Sequence, residues 1–270
     1  MLIKRLLVAI PLIPIGLLAI YYGGYYYIAI VTLLLSIAAW EYVQLFRRGG
    51  GRPAMVVVVA GTVFLVLGRV VWGFTQAPTL LSGILLVSMV YHLVDFERGR
   101  QEAGSDFALT IAGVFYLGWL GAYLISLRDL EGGVWWVLTA LPSVWIADSG
   151  AYFIGKGFGR HPLSPRLSPK KTWEGYLGGV IVGTVGTALL TALWRIGAGS
   201  VLTPVRGAIL GFILAVLTPL GDLGESMFKR QVGVKDSSNL IPGHGGAFDR
   251  IDSWLWSGVL AYYVIHFLWV

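Results

Sequence analysis

Nine stretches of about 20 mostly apolar residues follow one another along this chain, and few folds accept such a pattern. They run at 6–22, 25–46, 54–74, 78–95, 106–126, 134–154, 174–195, 205–228 and 253–270. About 20 apolar residues wound as an α-helix cross the hydrocarbon core of a bilayer. No water reaches a bare backbone there, so each stretch is predicted to be helical. The expected fold class is all-α: a polytopic transmembrane helical protein with about nine spanning helices. Composition agrees. Only 13% of residues are charged and 56% are apolar, against about 25% and 45–50% in soluble domains. Gly23-Gly24 parts the first two stretches and predicts a tight helical hairpin. Lys4 and Arg5 before an apolar run resemble a signal peptide, but the run continues past Tyr22 without an A-x-A-like site, so no cleavage is expected.

Basic residues give the orientation. Lys4, Arg5, Arg47, Arg48, Arg52, Arg98, Arg100, Lys156, Arg160, Arg166, Lys170, Lys171, Lys229, Arg230, Lys235 and Arg250 fall at alternate helix ends. The opposite ends carry Arg128, Arg195 and Arg206. The excess of Lys and Arg marks the cytoplasmic side. The N-terminus is therefore expected in the cytoplasm and the C-terminus outside, in the cell's inner (cytoplasmic) membrane. The same placement accounts for the net charge of +6, and no nucleic acid is needed as a partner. The absence of cysteine excludes disulfides, thiol nucleophiles and cysteine metal sites. No internal repeat or linker is evident. Residues 1–270 are expected to form one integral membrane domain, with 1–105 mainly scaffold helices and 140–253 the catalytic, cytoplasm-facing region. Arg69 is expected to snorkel or pair, and Glu41 to reach the interface. His92, His161 and His266 are expected at interfaces or in packing.

Two cytoplasmic segments carry chemistry. In the first, Ser168-Pro-Lys170-Lys171-Thr-Trp-Glu174-Gly, Ser168 is a candidate N-cap with Pro169 at the first helical position. A helix N-terminus with two lysines suits a phosphate, although a positive-inside loop with ordinary capping explains the pattern as well. The second runs from Gly221-Asp222 through Glu225, Ser226, Lys229, Arg230, Lys235 and Asp236 to Pro242-Gly-His244-Gly245-Gly246, then Asp249-Arg250-Ile-Asp252. Asp222, Glu225 and Lys229 share a helix face by spacing. Asp249 and Asp252 repeat the interval at the start of the ninth helix. The two carboxylate pairs are expected at one cytoplasmic pocket. Paired hard oxygens without cysteine suit Mg²⁺ shared with substrate phosphates; salt bridging is the plainer alternative. Glycines around His244 let backbone N–H groups approach an anion. Asp148, deep in the sixth stretch, needs a cation or a lysine partner.

Ser168 to Gly175 and Ser226 to Asp252 resemble the phosphatidate cytidylyltransferases. That family's pattern is matched at Ser226, Lys229, Arg230, Lys235, Asp236, Leu240, Pro242, His244, Gly245, Gly246, Asp249, Arg250 and Asp252. The resemblance implies that CTP and phosphatidate give CDP-diacylglycerol and pyrophosphate with Mg²⁺. On it, Asp222, Asp249, Lys170, Lys171 and His244 are expected to be catalytic. Ser168, Lys229, Arg230, Lys235, Gly245, Gly246 and Arg250 would bind substrate. Asp222, Asp249, Asp148, Glu225 and Asp252 would hold metal, with K⁺ a candidate second cation. Glycine-rich helix faces permit a homodimer. A secondary transporter would tend to show repeats and midplane charges, and neither is seen. A CDP-alcohol phosphotransferase would show its Asp-Gly and Ala-Arg pattern, which is missing. A CTP-using polyprenol kinase would leave a monophosphate rather than a CDP-lipid.

Overall fold

The computed structural model describes residues 2–199, 201–238, 240 and 245–269, with side chains from Leu12 onward. Its helices are α1 (Leu2–Tyr22), α2 (Gly24–Arg48), α3 (Met55–Trp72), α4 (Ala77–Glu97), α5 (Ala103–Gly113), α6 (Tyr123–Asp129), α7 (Gly133–Phe158), α8 (Trp173–Ala198), α9 (Pro204–Leu217), α10 (Pro219–Gln231) and α11 (Phe248–Leu268). A π-helical turn, Val114–Trp119, separates α5 from α6. Two short strands, β1 (Pro162–Ser164) and β2 (Ser168–Thr172), precede α8.

Among the described residues seven segments are long and apolar enough to cross a membrane: α2, α3, α4, Ala103–Asp129, α7, α8 and Pro204–Gln231. The 21-residue helices α1 and α11 occupy the first and ninth expected positions. The eighth stretch is broken into α9 and α10, because Pro219 has no N–H to continue the ladder.

The β-hairpin corrects the expectation for Ser168. Ser168 does not cap a helix; it opens β2, where it pairs with Ser164 across an antiparallel ladder. A residue before proline is pushed toward extended backbone, and Ser168 precedes Pro169. The cap is Thr172, whose hydroxyl accepts from Gly175 N at 3.2 Å. Glu174 then fixes the hairpin to the helix. Its carboxylate accepts from the backbone N–H groups of Arg160 (3.1 Å) and His161 (3.2 Å) and from His161 Nδ1.

The helices form two compact units. One comprises Met1–Ser126 with Phe228–Ile251, the other Leu127–Met227 with Asp252–Val270. The chain passes between them inside α6, α10 and α11. In the first unit α2 contributes Leu35, Ala38, Ala39, Tyr42, Val43 and Leu45 to the core, packed with Val58 and Val66 of α3 and Val114 and Leu117 of the π turn. Tyr42 OH donates to Leu109 O at 3.0 Å, and Gly113 leaves room for its ring. Arg69 pairs rather than snorkels: it donates to Ser126 Oγ at 2.8 Å with its guanidinium 3.6 Å above the Phe74 ring. His92 packs as expected, buried and bonded to Thr110 at 2.8 Å. Leu85, Leu86, Val87, Val90 and Leu93 of α4 are exposed, an apolar face that a bilayer would cover.

In the second unit α7 and α8 cross closely. A side chain on Gly178, Gly179 or Gly183 would strike Ile154, Ala151 or Ala147, the small-residue contact common between membrane helices. Pro142, inside α7, cannot bond Leu138 O, and Trp194 Nε1 donates to that carbonyl instead at 3.2 Å. Ser257 of α11 donates to Ala140 O at 3.0 Å.

Candidate active site

The first unit holds the loop that joins α10 to α11, organised about Asp249. Asp249 sits in the first turn of α11, its side chain 5% exposed. Lys229 Nζ donates to its Oδ1 at 2.8 Å. Its Oδ2 accepts from Ser237 N (2.9 Å), Ser237 Oγ (2.7 Å) and Gly246 N (2.8 Å). Gly245 has φ 80°, a left-handed conformation that glycine adopts without strain. An added methyl group at Gly245 would also lie 2.7 Å from Asp249 Oδ2. The motif thus closes on itself: lysine, serine and glycine all converge on one aspartate. Arg230 donates to Val234 O at 3.1 Å. Lys235 and Arg250 are exposed. His244, with Pro242 and Gly243, lies outside the described residues.

Glu41 completes this group, and the sequence reading missed its part. It is fully buried rather than reaching for the interface. Oε1 accepts from the Ser238 hydroxyl, and Oε2 accepts from Phe248 N at 2.7 Å. The usable signal was the carboxylate itself, because an acid inside a spanning helix needs a reason. Beside it the Tyr42 ring packs edge-on against Phe228 and Phe248. Tyr116, from the π turn, meets the same two phenylalanines.

The second unit gathers Lys171, Asp222 and Asp148. Lys171, near the end of β2, pairs with Asp222 Oδ2. The pair is about one-third exposed, so solvent and phosphates can reach it. Asp148 lies on α7 in the same unit. Glu225 and Asp252 are buried, and Asp252 Oδ1 accepts from Ser253 N at 2.7 Å. Gly221 lets α10 approach α11, since a methyl group there would lie 2.5 Å from the Trp256 ring. Lys170 is exposed and Ser168 half-buried on the hairpin.

The structure therefore joins Lys171 to Asp222, and Asp249 to Lys229 and Gly246. Among the described residues no three of His, Asp and Glu form a ready-made metal cage. Asp148 and Asp222 nevertheless suit a hard cation. Mg²⁺ is commonly held by one or two carboxylates, with water and substrate phosphates completing the shell. The Lys171 ammonium already shows that the Asp222 carboxylate accepts positive charge. Asp249 fits less directly, because its oxygens are taken by four donors of its own unit.

A sequence model of the cytidylyltransferase family matches residues 3–268. A Synechocystis protein named phosphatidate cytidylyltransferase is 33% identical, over 97% of this chain and 96% of its own length. A Pseudomonas aeruginosa protein of that name is 35% identical, over 94% and 93%. One from Mycobacterium tuberculosis is 34% identical, over 90% and 75%. With nearly its whole length matched, the chain belongs to the cytidylyltransferase family.

Proposed function

We infer that this chain transfers the cytidylyl group of CTP to phosphatidate, giving CDP-diacylglycerol and pyrophosphate within a multi-pass membrane protein. The observation that carries the reading is the length-wide likeness to phosphatidate cytidylyltransferases.

A phosphate oxygen of phosphatidate attacks the α-phosphorus of CTP. The bond from that phosphorus to the bridging oxygen breaks, and pyrophosphate leaves with the electron pair. A phosphomonoester is already largely ionised near neutral pH, its second pKa being about 6, so no protein base is required. Positioning and charge neutralisation dominate such transfers. While Lys229 stays on Asp249, the exposed Arg230 at the end of α10 and Lys170 and Lys171 on the hairpin supply cations to phosphates. Lys171 leaves Asp222 to do so. His244 and the Gly245 N–H are the groups of this segment offered to a phosphate, since the Gly246 N–H is taken by Asp249. Mg²⁺ held by Asp222 and Asp148 would neutralise phosphate charge and fix the leaving pyrophosphate. Asp249, its oxygens taken by Lys229, Ser237 and Gly246, holds the loop. The cytoplasmic orientation of both groups is part of this reading, and the positive-inside distribution supports it.

The test is pyrophosphate release by detergent-purified protein given CTP and phosphatidate, with and without Mg²⁺. Release that needs both substrates and Mg²⁺, with CDP-lipid formed in equal amount, is expected. Formation of CDP and a polyprenyl monophosphate from CTP and polyprenol, with no pyrophosphate released in the presence of phosphatidate, would overturn the reading.

A further inference from the structure

We propose that Glu41 is a positioning residue for the reaction: it ties together the two ends of the glycine–histidine loop, so the N-terminal half takes part in substrate binding rather than serving as scaffold alone. This rests on the reading of that loop as a phosphate cradle.

Glu41 lies on the apolar helix α2 with no exposed surface. A carboxylate so placed is costly unless its oxygens are satisfied. Both are, by residues about 200 positions away in sequence. Ser238 precedes the glycine–histidine segment in sequence, and Phe248 follows it. One oxygen serves each. The Phe248 N–H belongs to the first residue of α11, where backbone donors have no intrahelical partner. A negative group is favourable there. Gly246 packs so close that a methyl group on it would sit 2.4 Å from Glu41 Oε2 and 2.3 Å from Ser237 Oγ. Glu41 and Asp249 thus hold the loop between them: Glu41 through Ser238 and Phe248, Asp249 through Ser237 and Gly246. A loop that binds an anion by its N–H groups depends on such fixing, because unfixed donors must be ordered when substrate arrives.

Two variants separate positioning from packing. Glu41→Ala removes both acceptors. Glu41→Gln keeps an acceptor for Phe248 N–H and offers a donor to Ser238 Oγ. Hydrogen exchange of the detergent-purified protein is measured first, since it does not depend on turnover. Peptides covering 237–249 are expected to exchange faster in Glu41→Ala than in wild type, with Glu41→Gln close to wild type and peptides from α7 and α8 unchanged. In steady-state assays, Glu41→Ala is expected to raise KM for one phosphate substrate by about ten-fold or more, as for a lost bond to a charged group, and to leave the other within about two-fold. Ser238→Ala, which removes one bond from the loop side, should move both readouts the same way even if Glu41→Ala fails to fold. Unchanged exchange and KM in folded Glu41→Ala would overturn the proposal. So would a fall in turnover that merely follows loss of folded protein with both KM values intact. If wild type proves not to transfer cytidylyl groups, the function falls and the role of Glu41 in the reaction with it, even where faster exchange confined to 237–249 shows that Glu41 orders the segment.

Discussion

Asn in place of Asp249 tests the centre of the motif, because it keeps the shape and removes the charge. The native carboxylate is 5% exposed and its partner Lys229 is 12% exposed, so water screens the pair little. In Asp249→Asn the new amide nitrogen must occupy one of two positions. At Oδ1 it faces the Lys229 ammonium, donor against donor, and leaves a buried cation without its counter-charge. Removing one partner of a buried pair costs about 3–5 kcal/mol. At Oδ2 it faces the N–H groups of Ser237 and Gly246, donor against donor, at about 1 kcal/mol each, and Lys229 again loses its counter-charge. Either way about 3 kcal/mol or more is lost. Lys229→Met is milder, about 1–3 kcal/mol, because Asp249 keeps its serine and glycine donors. The double variant should cost less than the sum, with a coupling energy of about 1.5 kcal/mol or more. Equilibrium unfolding of the four proteins in one detergent measures it. A coupling below about 0.5 kcal/mol would refute the clamp. Repeating the cycle with Mg²⁺ separates the two roles of this aspartate. A clamp predicts the same loss with and without the ion. A larger loss with Mg²⁺ would show that Asp249 binds it, since a ligand held only by the native state adds its binding energy to stability.

Lys171→Met should behave in the opposite way: its ion pair with Asp222 is about one-third exposed, so stability should change by less than about 1 kcal/mol. Turnover should fall by about 100-fold as a phosphate loses its counter-charge; wild-type turnover in the variant would remove Lys171 from the reaction. Because the chain contains no cysteine, single cysteines report topology without background: Arg48→Cys and Arg98→Cys should label only from the cytoplasm, and Arg128→Cys only from outside, to a membrane-impermeant thiol reagent. Labelling of all three from one side would contradict the positive-inside orientation.

What the sequence could disclose follows from what enforces each feature. The spans were legible because a bilayer imposes length and apolarity on every helix that crosses it, whatever its neighbours. Only their interruptions escaped, such as the break at Pro219 and the π turn at Val114–Trp119. The signature at 226–252 was legible because glycine, histidine and acidic residues stand out in an apolar chain. The hairpin was misread for a local reason. Ser-Pro-Lys-Lys serves equally as a cap with proline at the first helical position and as an extended strand, and Ser168 alone does not decide. The decision comes from Glu174, which bonds the backbone of Arg160 and His161 and leaves Thr172 as the cap. Glu41 shows the deeper limit. Its partner Ser238 is 197 positions away, and no periodicity or motif spacing encodes that pairing. Its cost was nonetheless visible from the start, as a carboxylate within an apolar helix. In a membrane protein, an acid that the bilayer should expel points to a partner elsewhere in the chain, and here that partner borders the loop on which the proposed chemistry depends.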